Sequence, residues 1–264
     1  MKNKDIDGGN IFDWGRASKE YAQFRDIYPD EFYQRIINLG LCIEGQRVLD
    51  LGTGTGVLPR NLYRFGAEFI GADISDNQIR EAKRLSLAAG MDIEYVVASA
   101  ETIDFPPSDF DVITACQCFI YFDQAIALPK IHALLNEEGH FCVLWAAWLP
   151  QEDEIAKASE QLVLKYNPMW TGAGYTRPVM TIPEWSKQLF LLENAVAYDI
   201  AIPFSRESWH GRMLACRGIG ASSLSKTEVA DFETEHRKLL SNYPEHFKIL
   251  HHVTIFNFRK KYRF

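Results

Sequence analysis

Near residue 50 an apolar strand runs straight into three alternating glycines and then into a helical pattern. The stretch reads Val48-Leu49-Asp50-Leu51-Gly52-Thr53-Gly54-Thr55-Gly56, and residues 57–65 follow with Leu58, Leu62 and Phe65 on one face. Glycine adopts positive φ without strain and lets a ligand approach the backbone closely. The free N–H groups at the start of a helix add partial positive charge beside such a turn. A chain organised around this unit is expected to be α/β, with its ligand at the carboxyl ends of the strands. The plainer alternative is a glycine-rich turn with no ligand.

The alternation continues. Residues 68–73 read as a second strand and 75–89 as a helix, with Ile79, Ala82, Leu85 and Ala89 at helical spacing. Ser75 and Asp76 offer acceptors at its start, and Gly90 suits its end. Residues 93–97 and 111–115 read as strands, and a helix over about 129–135 precedes a fifth strand at 141–146. Helices of this length between strands imply parallel βαβ units. The second half is less regular. Helices are predicted at 152–166, 207–216 and 226–240, strands at 195–204 and 252–258, and a loop or lid at 167–183. Helices with few intervening strands predict a cap beside the sheet.

Composition excludes several classes. The 264 residues hold 28 Lys and Arg against 35 Asp and Glu, a net charge of −7. That balance argues against nucleic acid as an obligatory partner. Residues 1–10 are polar with no apolar run, and the most apolar stretch, 141–149, is too short to span a bilayer. A cytoplasmic protein with no membrane span is expected. The five cysteines, Cys42, Cys116, Cys118, Cys142 and Cys216, are odd in number and irregular in spacing, which predicts reduced thiols. Cys116-x-Cys118 has no companion ligand pair nearby, so no metal is expected.

The register of the glycines separates two ligand classes. A dinucleotide turn reads G-x-G-x-x-G, but the position of its third glycine here is Val57. The register from Asp50 to Gly56 is D-x-G-x-G-x-G. It resembles motif I of the class I S-adenosylmethionine-dependent methyltransferases, and the resemblance covers about 100 residues, 47–149. The arrangement is similar to the small-molecule enzymes of the ubiquinone/menaquinone-biosynthesis and trans-aconitate type. The resemblance implies a Rossmann-like, seven-stranded, mostly parallel sheet with the last strand antiparallel, helices on both faces and a helical cap. It implies one methyltransferase domain over 1–264. Within it, 1–40 is a helical segment over the cofactor, 45–150 the cofactor-binding core, 151–250 a mixed cap and substrate region, and 251–264 the final strand and tail. S-adenosyl-L-methionine is the implied cofactor and S-adenosyl-L-homocysteine its product.

The implied site follows the motif. Asp50, Gly52, Thr53, Gly54, Thr55 and Gly56 form the turn. Asp73, ending the second strand, can accept both hydroxyl hydrogens of a ribose; capping the next helix is the alternative. By resemblance Ile74 packs on the adenine, and Gln78 stands where relatives often carry Met. Ser99-Ala100-Glu101 stands where relatives often read Asp-Ala-Glu, so Ser99 replaces the acid and the Ala100 N–H still reaches the ring. The backbone at Cys116 and Gln117 is expected near the methionine part. Phe12-Asp13-Trp14-Gly15 and Tyr21-Ala22-x-Phe24-Arg25-x-x-Tyr28-Pro29 resemble a segment that folds over the cofactor. Tyr21 and Arg25 are four apart and share a helix face, and Arg25 pairs with the cofactor carboxylate in this reading.

A sulfonium activates its own methyl group, so no protein nucleophile is required. An oxygen acceptor calls for a general base, with His210, His251 and His252 as candidates, each open to a structural role instead. Trp145, Trp148, Trp170, Tyr175, Trp185 and Trp209 suit either a substrate cleft or a core. Arg177, Arg206 and Arg212 suit an acidic substrate or a solvated surface. The methyl acceptor is expected to be a small molecule of unspecified identity. Two alternatives stay open: a nicotinamide-dependent oxidoreductase, and an S-adenosylmethionine-binding protein without catalysis, which Ser99 motivates.

Overall fold

The structure is a computed structural model that describes residues 6–262. Its strands are β1 (Arg47–Leu51), β2 (Glu68–Asp73), β3 (Glu94–Val97), β4 (Phe110–Cys116), β5 (Leu135–Trp148), β6 (Phe190–Ser205) and β7 (His246–Lys260). Its α-helices are α1 (Ser18–Phe24), α2 (Asp30–Asn38), α3 (Val57–Leu62), α4 (Asp76–Ala88), α5 (Gln124–Leu134), α6 (Glu154–Tyr166), α7 (Arg206–Leu214) and α8 (Lys226–Leu240). The seven strands form one sheet in the order β3-β2-β1-β4-β5-β7-β6. β1 pairs in parallel with β2 and β4, β2 with β3, and β4 with β5. Val48, Leu49 and Leu51 of β1 are fully buried, the pattern of a strand covered on both faces.

β7 runs antiparallel to both neighbours, as the resemblance implied. His140 meets Asn257, while Leu149 farther along donates to the earlier Leu250. Against β6, Lys261 donates to Leu189 and Arg206 to Glu245. Among the described residues no helix is long and apolar enough to cross a membrane.

Several boundaries differ from the sequence reading. α5 begins at Gln124, not near Pro129, because the Asp123 side chain accepts from the Ala125 N–H at 3.1 Å. Pro129 lies inside the helix on its exposed side. β5 takes in Gly139, and its pairing jumps from Phe110↔Leu135 to Val112↔His140. β6 and β7 extend well beyond their predicted ends, since backbone pairing continues through polar residues that carry no strand signal. The helix after the glycines stops at Leu62 and closes as a 3-10 turn, Tyr63–Phe65.

The chain divides into two compact units. One comprises Tyr28–Ala146, Val179–Tyr198 and the chain from Val253 on. Its core gathers Leu49, Leu51, Ile70, Ile113, Phe141, Phe190 and Phe258. Trp185 packs into that cluster against Phe119, with ring centroids 4.7 Å apart, and against Phe258 at 4.8 Å.

The other unit comprises the chain up to Ile27, Ala147–Pro178 and Asp199–His252. Its core contains Trp148, Val163, Trp170, Phe204, Trp209, Met213, Phe232 and Ile249. Four of the tryptophans singled out in the sequence, Trp148, Trp170, Trp185 and Trp209, are therefore core side chains. A side chain on Gly211 of α7 would strike the Phe24 ring of α1, so that glycine sets how closely the two helices pack. The 167–178 segment is fastened down. Asn167 donates to the Gly218 carbonyl at 3.0 Å, and the buried Glu160 accepts from the Gly174 N–H at 2.8 Å and from the Trp148 indole.

Asp153 joins α6 to the sheet. One carboxylate oxygen caps the helix by accepting from Ala156 N at 2.9 Å, and the other accepts from Leu250 N at 3.0 Å. Replacing Asp153→Ala strands both donors and is expected to lower the unfolding free energy by about 1–3 kcal/mol in urea denaturation. An unchanged midpoint would remove Asp153 from the joints of this unit.

Candidate functional site

The carboxyl ends of β1, β2 and β4 lie level, because Leu51 stands opposite both Ala72 and Ala115. The Thr53 N–H donates to the Ala72 carbonyl at 2.9 Å, carrying the β1–β2 ladder one step past the strand. Gly52, Gly54 and Gly56 then take φ values of 63°, 56° and 75°. Gly52 lies flush against Cys118, whose Cβ would be 2.6 Å from an added methyl. The Cys118 thiol donates to the Leu51 carbonyl at 3.0 Å. Gly56 faces the Tyr95 phenol, and a Cβ added at Gly71 of β2 would stand 2.7 Å from the same ring. The sequence reading missed both Cys118 and Tyr95 as supports of this turn; Gly71 opposite Tyr95 was the available sign.

Two carboxylates frame the turn. Asp73 Oδ2 accepts from the Gly54 N–H at 3.0 Å and Oδ1 from the Ser75 N–H at 2.9 Å. Burial raises its pKa, and the backbone donors partly offset that rise. Each oxygen retains acceptor capacity beyond these two bonds. Asp50 is 2% exposed and accepts from the Thr114 hydroxyl at 2.6 Å. Burial is the main cause that pushes its pKa up to about 6, against the lowering effect of the Thr114 and Thr53 hydroxyls. Thr53 and Thr55 are themselves buried within the turn.

The remaining predicted residues divide. Ile74 is 49% exposed beside Asp73, and Val97, opposite Asp73 in the β2–β3 register, is 53% exposed. Gln78 is buried on the first turn of α4. The Ser99 hydroxyl is 3.1 Å from that of Thr102 and accepts from the Thr102 N–H at 3.2 Å, so it caps its own turn. Ala100 is buried. Glu101 accepts from the Asp123 N–H at 2.8 Å, at the start of α5. Gln117 takes a φ of 66°, and its amide donates to the Ala146 carbonyl and to Tyr28 at 3.3 Å. The Cys116 thiol lies 3.9 Å from the same Tyr28 hydroxyl. Tyr21 and Arg25 belong to the other unit. There Arg25 is buried at the end of α1, 3.4 Å from the Tyr21 hydroxyl and 4.8 Å over its ring.

These residues suit S-adenosylmethionine in specific ways. The turn places backbone where side chains have no room, Asp73 is held rigidly at a strand end with lone pairs to spare, and Ile74 and Val97 present exposed apolar surface beside it. Ser99 and Glu101 are occupied with their own neighbours. Asp50 has a consequence for pH. Its native pKa lies above the unfolded value of about 3.9, so the native state holds more protons in between. Its contribution is therefore most favourable below that value and is lost as pH rises through about 6. Relative to Asp50→Asn, the ligand-free wild type should lose about 2 kcal/mol of stability between pH 4 and pH 7, read by urea unfolding across that range. Parallel pH profiles would contradict the assignment.

Residues 48–139 match the methyltransferase domain family. The chain is 34% identical over 114 residues to the demethylmenaquinone methyltransferase of Thermus thermophilus, covering 42% of this chain and 52% of that protein. It is 30% identical over 148 residues to the ubiquinone biosynthesis O-methyltransferase of Bradyrhizobium diazoefficiens, covering 56% and 58%. It therefore spans about half the length of the curated relatives it matches. Among solved structures, the fold resembles the BH2331 protein of Bacillus halodurans, at a TM-score of 0.56 and 14% identity over 87% of this chain and 98% of that one. It also resembles YcgJ of Bacillus subtilis, at 0.52 and 20% over the same shares. The likeness of this chain to methyltransferases is thus carried by its segment 48–139, which matches a methyltransferase domain.

Proposed function

We propose that this chain transfers a methyl group from S-adenosyl-L-methionine to a small-molecule acceptor. The observation that carries the reading is the Asp73 carboxylate, anchored by the Gly54 and Ser75 N–H groups at the end of β2. In this reading the residual lone pairs of Asp73 take the two ribose hydroxyls. The turn from Gly52 to Gly56 supplies close backbone approach, and Ile74 packs on the adenine. Gln117, fixed by Ala146 and Tyr28, shapes the methionine end. Asp50, on the strand that leads into the turn, is held by the Thr114 hydroxyl of β4. Gln78, Ser99, Ala100 and Glu101 enter as surrounding structure, since their groups are buried or engaged with neighbours.

The bound sulfonium supplies an activated methyl group. The protein's contribution is to bind, exclude water and align the acceptor. The nicotinamide alternative needs a glycine where Val57 is packed, 7% exposed, at the start of α3.

Isothermal titration of the full chain tests the reading. S-adenosylmethionine and S-adenosylhomocysteine should bind in the micromolar range and NADH should not; NADH binding alone would sink it. Transfer of labelled methyl to any acceptor separates an enzyme from a binding protein. Asp73→Ala should weaken cofactor binding by about 1–3 kcal/mol, through loss of charge-assisted hydrogen bonds. Wild-type affinity in that variant would take Asp73 out of the site.

A further inference from the structure

Asp50 is a buried carboxylate without a cation. It sits on β1, opposite Gly71 of β2 and Thr114 of β4, and its hydroxyl donor is Thr114 at 2.6 Å. Among the described residues it forms no ion pair, and the charge that acts on it is that of Asp73. Asp73 is half-buried and is itself held by the Gly54 and Ser75 N–H groups, not by a cation. The other titratable groups facing Asp50 are Cys42 ahead of β1, Tyr95 on β3 and Cys118 after β4. Each of these holds its own proton more tightly because of the Asp50 charge. Arg60 on α3 donates to the Thr55 carbonyl at 3.3 Å, and its charge acts on Tyr95. All of these groups belong to the same compact unit as the glycine turn. The level strand ends thus carry a negative field that no ion pair of Asp50 or Asp73 neutralises.

Taking a carboxylate out of water without a partner is costly, and the group responds by keeping its proton. Burial does this to Asp50, pushing its pKa up to about 6. A group in that state is poised. A cation brought close weakens its hold on the proton, and loss of that cation restores it. The place of Asp50 fits such a role. Its partner Thr114 precedes Cys116 and Gln117 on β4, the residues at the proposed methionine end, and Cys118 beyond them feels the Asp50 charge.

We propose that Asp50 is the counter-charge of the cofactor sulfonium, releasing its proton to solvent when S-adenosylmethionine binds and regaining one once methyl transfer has left a neutral thioether. This rests on the methyl-transfer reading above. On binding, the carboxyl O–H bond breaks, its electron pair stays on oxygen and the proton leaves to water. One positive charge enters the site as one departs. After transfer the sulfur is neutral, and the carboxylate takes a proton from water again. Asp50 acts through its charge from a buried position and is a positioning residue. Below about pH 7 the free protein holds more protons than the complex, so affinity rises with pH and levels off above that value.

Isothermal titration of the full chain in two buffers of unlike protonation heat counts the protons. S-adenosylmethionine should release about 0.4 proton at pH 6, the value for a carboxyl whose midpoint moves from about 6 to about 5. Its affinity should fall about fivefold from pH 7 to pH 5. S-adenosylhomocysteine carries the same amino and carboxylate groups without the sulfonium. It should release less than half as much and lose no more than about twofold in affinity. Asp50→Asn should abolish the release and flatten the affinity profile. Thr114→Val removes a donor that favours the ionised form, so it should move the midpoint of the profile upward by about half a pH unit or more. That second variant decides the matter if Asp50→Asn fails to fold. A wild type that binds S-adenosylmethionine without releasing a proton overturns the proposal. Equal release with S-adenosylhomocysteine, wild-type release in Asp50→Asn, or an unmoved midpoint in Thr114→Val overturns it too. If neither ligand binds wild type, the methyl-transfer reading falls and takes this proposal with it.

Discussion

A single hydrogen bond, from the Gly54 N–H to the Asp73 carboxylate, ties the tip of the glycine turn to the end of the neighbouring strand. It is possible only because β1 and β2 end in register, with Leu51 opposite Ala72. That register in turn rests on strands buried on both faces, where a slip would misplace every apolar side chain. Thr114 performs the matching task on the other flank by binding Asp50. The edge that carries the proposed cofactor site is thus three strand ends locked at one level, with the buried Asp50 and the half-buried Asp73 as the pins. A carboxylate already fixed by backbone donors meets a ligand without first losing rotamer freedom.

The central part of this arrangement was legible in the sequence because its physics is local. β1, β2 and β4 are short apolar runs, α4 has a Ser75 cap, and the three glycines sit where positive φ is needed. Longer-range partners were not legible. Glu101 accepts from an amide 22 positions away, while Ser99 bonds Thr102 within its own turn. β5, β6 and β7 outran their predicted ends because pairing, not composition, extends them. Asp199 and His252 lie 53 positions apart, and only the antiparallel β6–β7 register brings them face to face. Several tryptophans that suggested a cleft turned out to fill cores.

Buried titratable groups in the two units respond to acid in opposite senses. In one, burial holds His210, His236 and His251 far below the ordinary imidazole range. Such depressed values add stability above about pH 6.5 and withdraw it as pH falls toward 4, because the unfolded chain gains protons first. In the other, the raised Asp50 works the other way over much of the same interval. Neutral pH therefore suits the buried histidines at some expense to Asp50.

Tyr95 links positions that are far apart in the chain. Its ring fills the space that side chains on Gly56 and Gly71 would otherwise take, and its hydroxyl lies 2.8 Å from that of Ser86 on α4. A larger residue at 56 or 71 is blocked while the ring is there, and a smaller residue at 95 opens a gap behind the turn. The three positions are therefore sterically coupled: a side chain at 56 or 71 can enter only where the ring at 95 gives way.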